Sequence, residues 1–300
     1  MPKSGAQDSQ ASLDCDLISI IDNWRWDTMM RALYTAATGM RAEQTNVDTI
    51  SNNLANVNTY GYKSERTEFK SLLYQTIQTR STSGNGDEKP VGAQVGLGTR
   101  VAATTSTYTQ GSLTSTELDT DFAIDGDGFF ALRGQDGQTY YTRNGAFTWS
   151  IAADGGTILT DSEGSPVLDR EGNEIRVPQG VSAESMAFAS NGEIGYYDVE
   201  NNYHSLNQYF GIYQFNNPAG LEKMSYSRLA ATAASGNPML EGDNANLKAS
   251  TIKQGYLEGS NVQVADEMVN LIVAQRAYEL NSKAITTADS MLETANNLRR

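Results

Sequence analysis

The sequence predicts an α+β protein: long N- and C-terminal helices forming a coiled-coil-like assembly domain, with a central all-β domain of antiparallel hairpins. Two observations carry this. Near both ends of the chain apolar residues recur every seven positions, the spacing that keeps one helix stripe facing a partner helix. Between the ends, short apolar or alternating runs are broken by Asp-Gly and Asn-Gly turn signals, the mark of antiparallel hairpins. Composition agrees. Of 300 residues, 39% are hydrophobic and 19% charged, with six prolines. Both fractions sit below the usual globular averages of about 45–50% and about 25%, and Ser, Thr, Asn, Gln and Gly fill the difference, favouring turns and uncharged polar surfaces.

Residues 1–28 read apart from the rest, as a disordered leader or a misassigned start. Lys3 and Arg25 face Asp8, Asp14, Asp16, Asp22 and Asp27, and the apolar piece Leu17 to Ile21 is too short and too acidic at its flanks for a signal peptide. The helical pattern sets in at Met29-Met30, the expected true start.

Residues 29–80 form the N-terminal helical assembly segment and an extended stretch. Leu33, Met40, Val47 and Leu54 are seven apart, with Ala36 and Ile50 beside them. Asn58-Thr59-Tyr60-Gly61 reads as the stop, with Gly61 as a left-handed cap. A shorter amphipathic stretch with Phe69, Leu72, Leu73 and Ile77 follows. Residues 81–94 are a polar, Gly-containing linker.

The central β-domain takes residues 95–254. Its strand candidates include Phe122 to Ile124, Gly128 to Leu132, Thr139 to Thr142 and Glu174 to Val177. Turns fall at 135–137, 154–156, 171–173 and 191–192. Residues 255–300 supply the C-terminal helix of the assembly domain. Val264, Leu271, Tyr278, Ile285 and Leu292 are seven apart, and Met268, Ala274, Ala288 and Ala295 widen the stripe. A helix from Val262 to Leu298 spans roughly 50 Å at 1.5 Å per residue. One reading is a hairpin of two helices packed within the chain. The other is that both seams also meet further subunits.

The chemistry is sparse. A net charge of −14 counts against nucleic acid, whose phosphates demand a basic patch. One cysteine, Cys15, and one histidine, His204, leave no Cys/His zinc site and no internal disulfide. No cofactor is expected, and no run of 18 apolar residues suggests membrane insertion. Asp125-Gly126-Asp127-Gly128 resembles half a calcium loop, but Phe129 takes the third ligand position and no glutamate closes it, so a tight turn is expected. No nucleophile motif appears, and no catalytic residue is assigned. The asparagines say more. Asn46, Asn52, Asn53, Asn56 and Asn58 cluster on and just after the first helix, either as a polar face with a fraying end or as amides that hydrogen-bond across packed helices and fix their register.

Four separated motifs then point one way. Ser51-Asn52-Asn53-Leu54-Ala55-Asn56-Val57-Asn58-Thr59 with Gly61-Tyr62-Lys63 resembles the N-terminal signature of bacterial flagellar rod and hook proteins. Phe122 to Phe130 resembles the central motif of that family, Tyr141 to Phe147 the motif after it, and Gly255 to Val262 with Gln275 to Lys283 its ending. Together they cover essentially Met29 to Arg300. Within the family the length and the ending resemble the distal-rod branch most, with a proximal rod or hook-type subunit as the rival.

The resemblance implies a structural subunit, not an enzyme. It implies a basal body outside the cytoplasmic membrane, and a helical homopolymer that forms a stiff hollow tube carrying motor torque to the hook while export substrates pass. Implied partners are further copies of itself, proximal rod proteins, the hook protein, surrounding outer ring proteins and the flagellar export apparatus. The implied assembly interface is Leu33, Met40, Val47, Ile50, Leu54, Asn52, Asn53 and Asn56, with Val264, Met268, Leu271, Tyr278, Ile285 and Leu292. Two other classes stay open on residues alone. The 15 tyrosines would suit a secreted glycan-binding or adhesin module, and a wall hydrolase would need a catalytic pair not identified in the chain.

Overall fold

The computed structural model describes residues 7–78, 93–152, 155–178, 180–198, 200, 202–243 and 247–297, with side chains from Met30 onward. Backbone proximity divides the chain into two compact units. A helical unit draws on Met1–Ser51, Arg66–Thr104 and Met268–Arg300, and a β unit on Asn52–Glu65 and Thr105–Glu267. The fold is α+β: an N-terminal helix, a β-rich middle and a C-terminal helix.

Helix α1 spans Gln7–Ala55 and helix α2 spans Val264–Asn297. The backbone of 7–28 thus continues α1, where the sequence pattern starts the helix at Met29-Met30. No glycine or proline interrupts the chain between Gln7 and Gly39, so nothing local breaks the helix there. α2 carries Asp266 and Glu267 in its first turn, where the helix dipole favours negative charge. Most of the expected linker, 81–94, lies outside the described residues.

In the helical unit, the stretch after α1 is extended. Glu65–Ser71 pairs with Thr99–Ser106, and Tyr74–Gln78 pairs with Ala93–Gly96. Thr67 donates its hydroxyl to Thr49 at 2.9 Å, which ties the first of these strands to α1. α1 and α2 lie side by side here. Gly39 leaves room for the Asn281 side chain, whose amide nitrogen would be 2.8 Å from a methyl placed on that glycine. Gln44 and Val47 of α1 line a groove of about 240 Å³ with Gln275, Tyr278 and Glu279 of α2.

The β unit is built on a six-stranded sheet. Its order is Glu222–Lys223, Arg228–Ala230, Thr139–Thr142, Phe129–Arg133, Ile212–Gln214, Met239–Leu240, and neighbours run antiparallel. The central strand explains why one chain supports two apolar layers. Successive side chains of a strand point to opposite faces. Phe130 and Leu132 enter a core with Phe122, Ile124, Phe147, Leu159 and Ile175, while Phe129 and Ala131 enter another with Tyr141, Phe215 and Leu229. The hairpin between Phe129–Arg133 and Thr139–Thr142 turns at Gly137, whose φ of 78° is in the left-handed region. Asp136 holds that turn, accepting from the Gln138 amide at 3.0 Å and from the Tyr140 hydroxyl at 2.7 Å.

A three-stranded sheet of Met186–Phe188, Glu193–Tyr197 and Tyr203–Tyr209 sends Ile194 into the first core. His204, placed by sequence in a loop-like stretch, lies in the last of these strands and stacks on Tyr196. Asp125-Gly126-Asp127-Gly128 is the bend between strands Phe122–Asp125 and Phe129–Arg133. Among the described residues no helix is long and apolar enough to cross a membrane, and no cluster of His, Cys, Asp and Glu is arranged to hold a metal.

Candidate functional site

Three of the sequence motifs, those around Lys63, Arg143 and Glu258, converge inside the β unit. At the centre is a buried ionic cluster. Lys63 sits 2.6 Å from one oxygen of Glu258 and also donates to the Thr109 carbonyl at 2.8 Å. The same carboxylate oxygen accepts from the Gly111 amide at 2.9 Å. Arg143 approaches the other oxygen of Glu258 at 3.4 Å and donates to the Gly126 carbonyl at 2.6 Å. Its guanidinium lies over the Phe129 ring, 5.3 Å from the centroid. The three side chains are only 3%, 3% and 1% exposed. Burial lowers the pKa of both Lys63 and Arg143, and the charge of Glu258 opposes that shift. Each member comes from a different motif.

Above this cluster the asparagines form a polar clamp. Asn53 is 1% exposed. Its amide donates to the Glu65 carbonyl at 2.8 Å and to the Glu267 carboxylate at 3.1 Å. Its oxygen accepts from the Glu65 amide at 2.9 Å and from the Tyr62 hydroxyl at 3.1 Å. One side chain therefore closes the reversal after α1 and reaches the first turn of α2. Asn52 donates to the Tyr62 hydroxyl at 3.2 Å, and Asn56 folds back onto the Asn52 carbonyl at 2.9 Å. Asn261, from the last motif, accepts from the Ser64 amide at 2.7 Å and donates to the Thr107 carbonyl at 2.8 Å.

Gly61 belongs to this junction and not to the end of the helix. α1 stops at Ala55, and Gly61, with φ 69°, lies beyond it. A methyl group there would meet the Asn144 amide nitrogen at 2.6 Å, so the left-handed backbone serves a close approach to the Arg143–Asn144 chain. Its own amide donates to the Glu258 carbonyl at 2.8 Å.

The seam residues fall into three groups. Ile50 is buried, and Leu33, Met40, Val47, Leu54, Leu271, Ile285 and Leu292 are half-buried against their own chain. Val264, Met268 and Tyr278 are exposed. Asn53 is buried, Asn56 half-buried and Asn52 exposed. The seven-residue spacing did not mark a second apolar row on α2: Val269, Ile272, Val273, Leu280 and Met291, each between 55% and 67% exposed. Offsets of three, four and eleven place them on one face, away from the heptad stripe. The helix is apolar on more than one side, and a heptad count picks out a single stripe. Between the strands Glu65–Ser71 and Tyr74–Gln78 of the helical unit, Leu73 is 82% exposed.

Comparison with known proteins places the chain. Residues 33–63 match the family described as Flagella basal body rod protein, residues 123–196 the Flagellar hook protein FlgE/F/G D1 domain, and residues 253–298 the Flagellar basal body rod FlgEFG protein C-terminal family. The chain belongs to the flagellar rod and hook protein family. Within it, several FlgG proteins match along nearly their whole length, as does the flagellar hook-basal body complex protein FlhP of Bacillus subtilis at 32% identity. The chain is 45% identical to the flagellar basal-body rod protein FlgG of Borreliella burgdorferi over 91% of this chain and 100% of that one. Identity is 41% to the FlgG of Agrobacterium fabrum, covering 87% and 97%, and 36% to that of Bacillus subtilis, covering 91% and 100%.

Proposed function

We infer that this chain is a structural subunit of the flagellar basal-body rod, located in the flagellum basal body. One observation carries the reading: the likeness to rod proteins runs through the full length of those relatives, helices and β-rich middle alike. The finer reading is the distal rod, because the most similar chains named above are all FlgG.

The mechanism follows from two kinds of surface. The β unit closes its charges on one another, so its central cluster is a fastener and not a reaction site, and the chain acts without catalysis. The helical unit leaves large apolar side chains uncovered. Five such residues in a row on α2 are far more than scattered surface apolar residues require, and a second copy of the chain is the occupant a rod supplies. Head-to-tail repetition of such a contact builds an open helical tube. In this reading α1 and α2 form its coiled-coil-like inner layer, and the tube carries torque. Its neighbours are proximal rod proteins, the hook protein and outer ring proteins, and its subunits arrive through the export apparatus.

Electron microscopy of a deletion strain tests the assignment. Arrest after a short rod, before the hook, is expected. Complete hooks and filaments in that strain would overturn the rod reading, and arrest with no rod at all would move the subunit to the proximal end.

A further inference from the structure

We propose that residues 251–262 are a closing clasp for the β unit: until this segment is in place, the unit cannot fold. The proposal needs only the β unit, and it rests on the rod reading solely for its purpose.

Four attachments converge on the segment. Strand Thr251–Gln254 pairs with Phe122–Asp125, and among the described residues each is the other's only strand neighbour. Strand Tyr256–Glu258 pairs in the same exclusive way with Leu113–Ser115. Ile252, 3% exposed, fills the first apolar core. The carbonyl of Glu258 takes the Gly61 amide, its carboxylate takes Lys63, Arg143 and the Gly111 amide, and Asn261 holds the Ser64 amide.

The segments held by the clasp touch one another directly, through the Thr107 amide on the Ser64 carbonyl at 2.8 Å, Lys63 on the Thr109 carbonyl at 2.8 Å and the Gln110 side-chain amide on the Ile124 carbonyl at 3.3 Å, but those ties leave the buried cations without an anion. Lys63 and Arg143 approach one buried carboxylate, and without it two cations would share a desolvated site. Removing the single anion from such a group leaves uncompensated buried charge, which is strongly destabilising. The Lys63 segment, the 107–115 segment and the 122–125 strand therefore each have their closing contact, by strand pairing or by the Glu258 carboxylate, with residues that come last in the unit. Because a chain is made from its N-terminus, everything from Asn52 to Ser250 must wait. A subunit that passes unfolded through a narrow export channel requires that delay: no early segment sets into a finished domain while the rest is still being made.

Hydrogen exchange on three chains tests this: the full chain, one ending at residue 267 and one ending at residue 250. Both truncations lack most of α2, so they differ only in the clasp and the few residues beyond it. The readout is the amides of Phe129–Arg133 and Thr139–Thr142, which pair with each other and not with the clasp. The chain ending at 267 is expected to keep slow exchange there, and the chain ending at 250 to exchange at the rate of an unfolded chain. A peptide of residues 251–262 added to the shorter chain is expected to restore protection. In the full chain Glu258→Gln is expected to speed exchange at the same amides. Native protection in the chain ending at 250, or equal loss in both truncations, would overturn the clasp. None of these outcomes depends on motility, so normal flagella in a deletion strain would sink the rod reading and leave the clasp standing.

Discussion

Lys63 and Glu258, 195 positions apart, form a buried ion pair with nitrogen and oxygen 2.6 Å apart. The pair is unsymmetrical in its company. Glu258 has a second cation in Arg143 and a backbone donor in Gly111, while Lys63 donates to Glu258 and the Thr109 carbonyl. Glu258→Met is therefore expected to cost about 3–5 kcal/mol, the usual penalty for orphaning buried charge. Lys63→Met leaves Glu258 still served by Arg143 and Gly111 and should cost clearly less. Urea denaturation of the two variants measures the difference. Equal midpoints would show that the two cations do not share the carboxylate as described.

Asn53 makes four hydrogen bonds from one buried amide. At about 0.5–1.5 kcal/mol each, with an added penalty for the Glu65 groups left unpaired, Asn53→Ala is expected to destabilise by roughly 3 kcal/mol. Asn52 is exposed and donates once, to Tyr62, so Asn52→Ala should stay within about 1 kcal/mol. Thermal unfolding of the two alanine variants separates them, and a mild Asn53→Ala would mean that water replaces the clamp.

Three tyrosines give the protein an alkaline limit. Burial pushes the phenols of Tyr62, Tyr108 and Tyr141 up to about 12 from their ordinary 10.0, with Glu65 and Glu267 adding to the effect on Tyr62. Between those values the unfolded chain has lost these protons while the folded chain keeps them. Their contribution to stability is thus complete below pH 10 and is lost as pH rises toward 12. Denaturation midpoints measured from pH 9 to 12 should fall steadily, and Tyr141→Phe should flatten the fall. A midpoint that holds constant to pH 12 contradicts the assignment.

The sequence revealed the elements better than the contacts. The heptads of Leu33 to Leu54 and Leu271 to Leu292 lie in helices, and the Asp136-Gly137 turn falls where its residue types place it. Both are local signals: a spacing, or a backbone angle that glycine alone adopts freely. The cluster of Lys63, Arg143 and Glu258 was invisible because a lysine or glutamate in a polar stretch looks like solvated surface. Only the chain path brings the three together. The motif resemblance flagged all three stretches, yet nothing in any one of them says that its charge is buried. Gly61 shows the same limit. Its left-handed angle was legible, but its purpose, an approach to Asn144, belongs to tertiary structure. The exposed row on α2 was missed because a helix with apolar residues on several faces offers more than one stripe, and the seven-residue count takes the most regular.

That row allows a separation within the helical unit. Ile285 is half-buried against its own chain, so Ile285→Asp is expected to lower the stability of the isolated subunit by roughly 1.5–3 kcal/mol from lost apolar burial alone. Val273 and Leu280 are 62% and 67% exposed, and Asp at either should leave the isolated subunit within about 0.5 kcal/mol of the parent. Calorimetry of the purified variants distinguishes the two faces.

The most direct test of the assembly surface is electron microscopy of basal bodies from cells carrying the Val273→Asp, Leu280→Asp double variant, alongside denaturation of the purified protein. The predicted result is a subunit that folds as the parent does and rods that stop short of the hook. Full-length rods with hooks, built from a variant whose exposed row carries two charges, would contradict it.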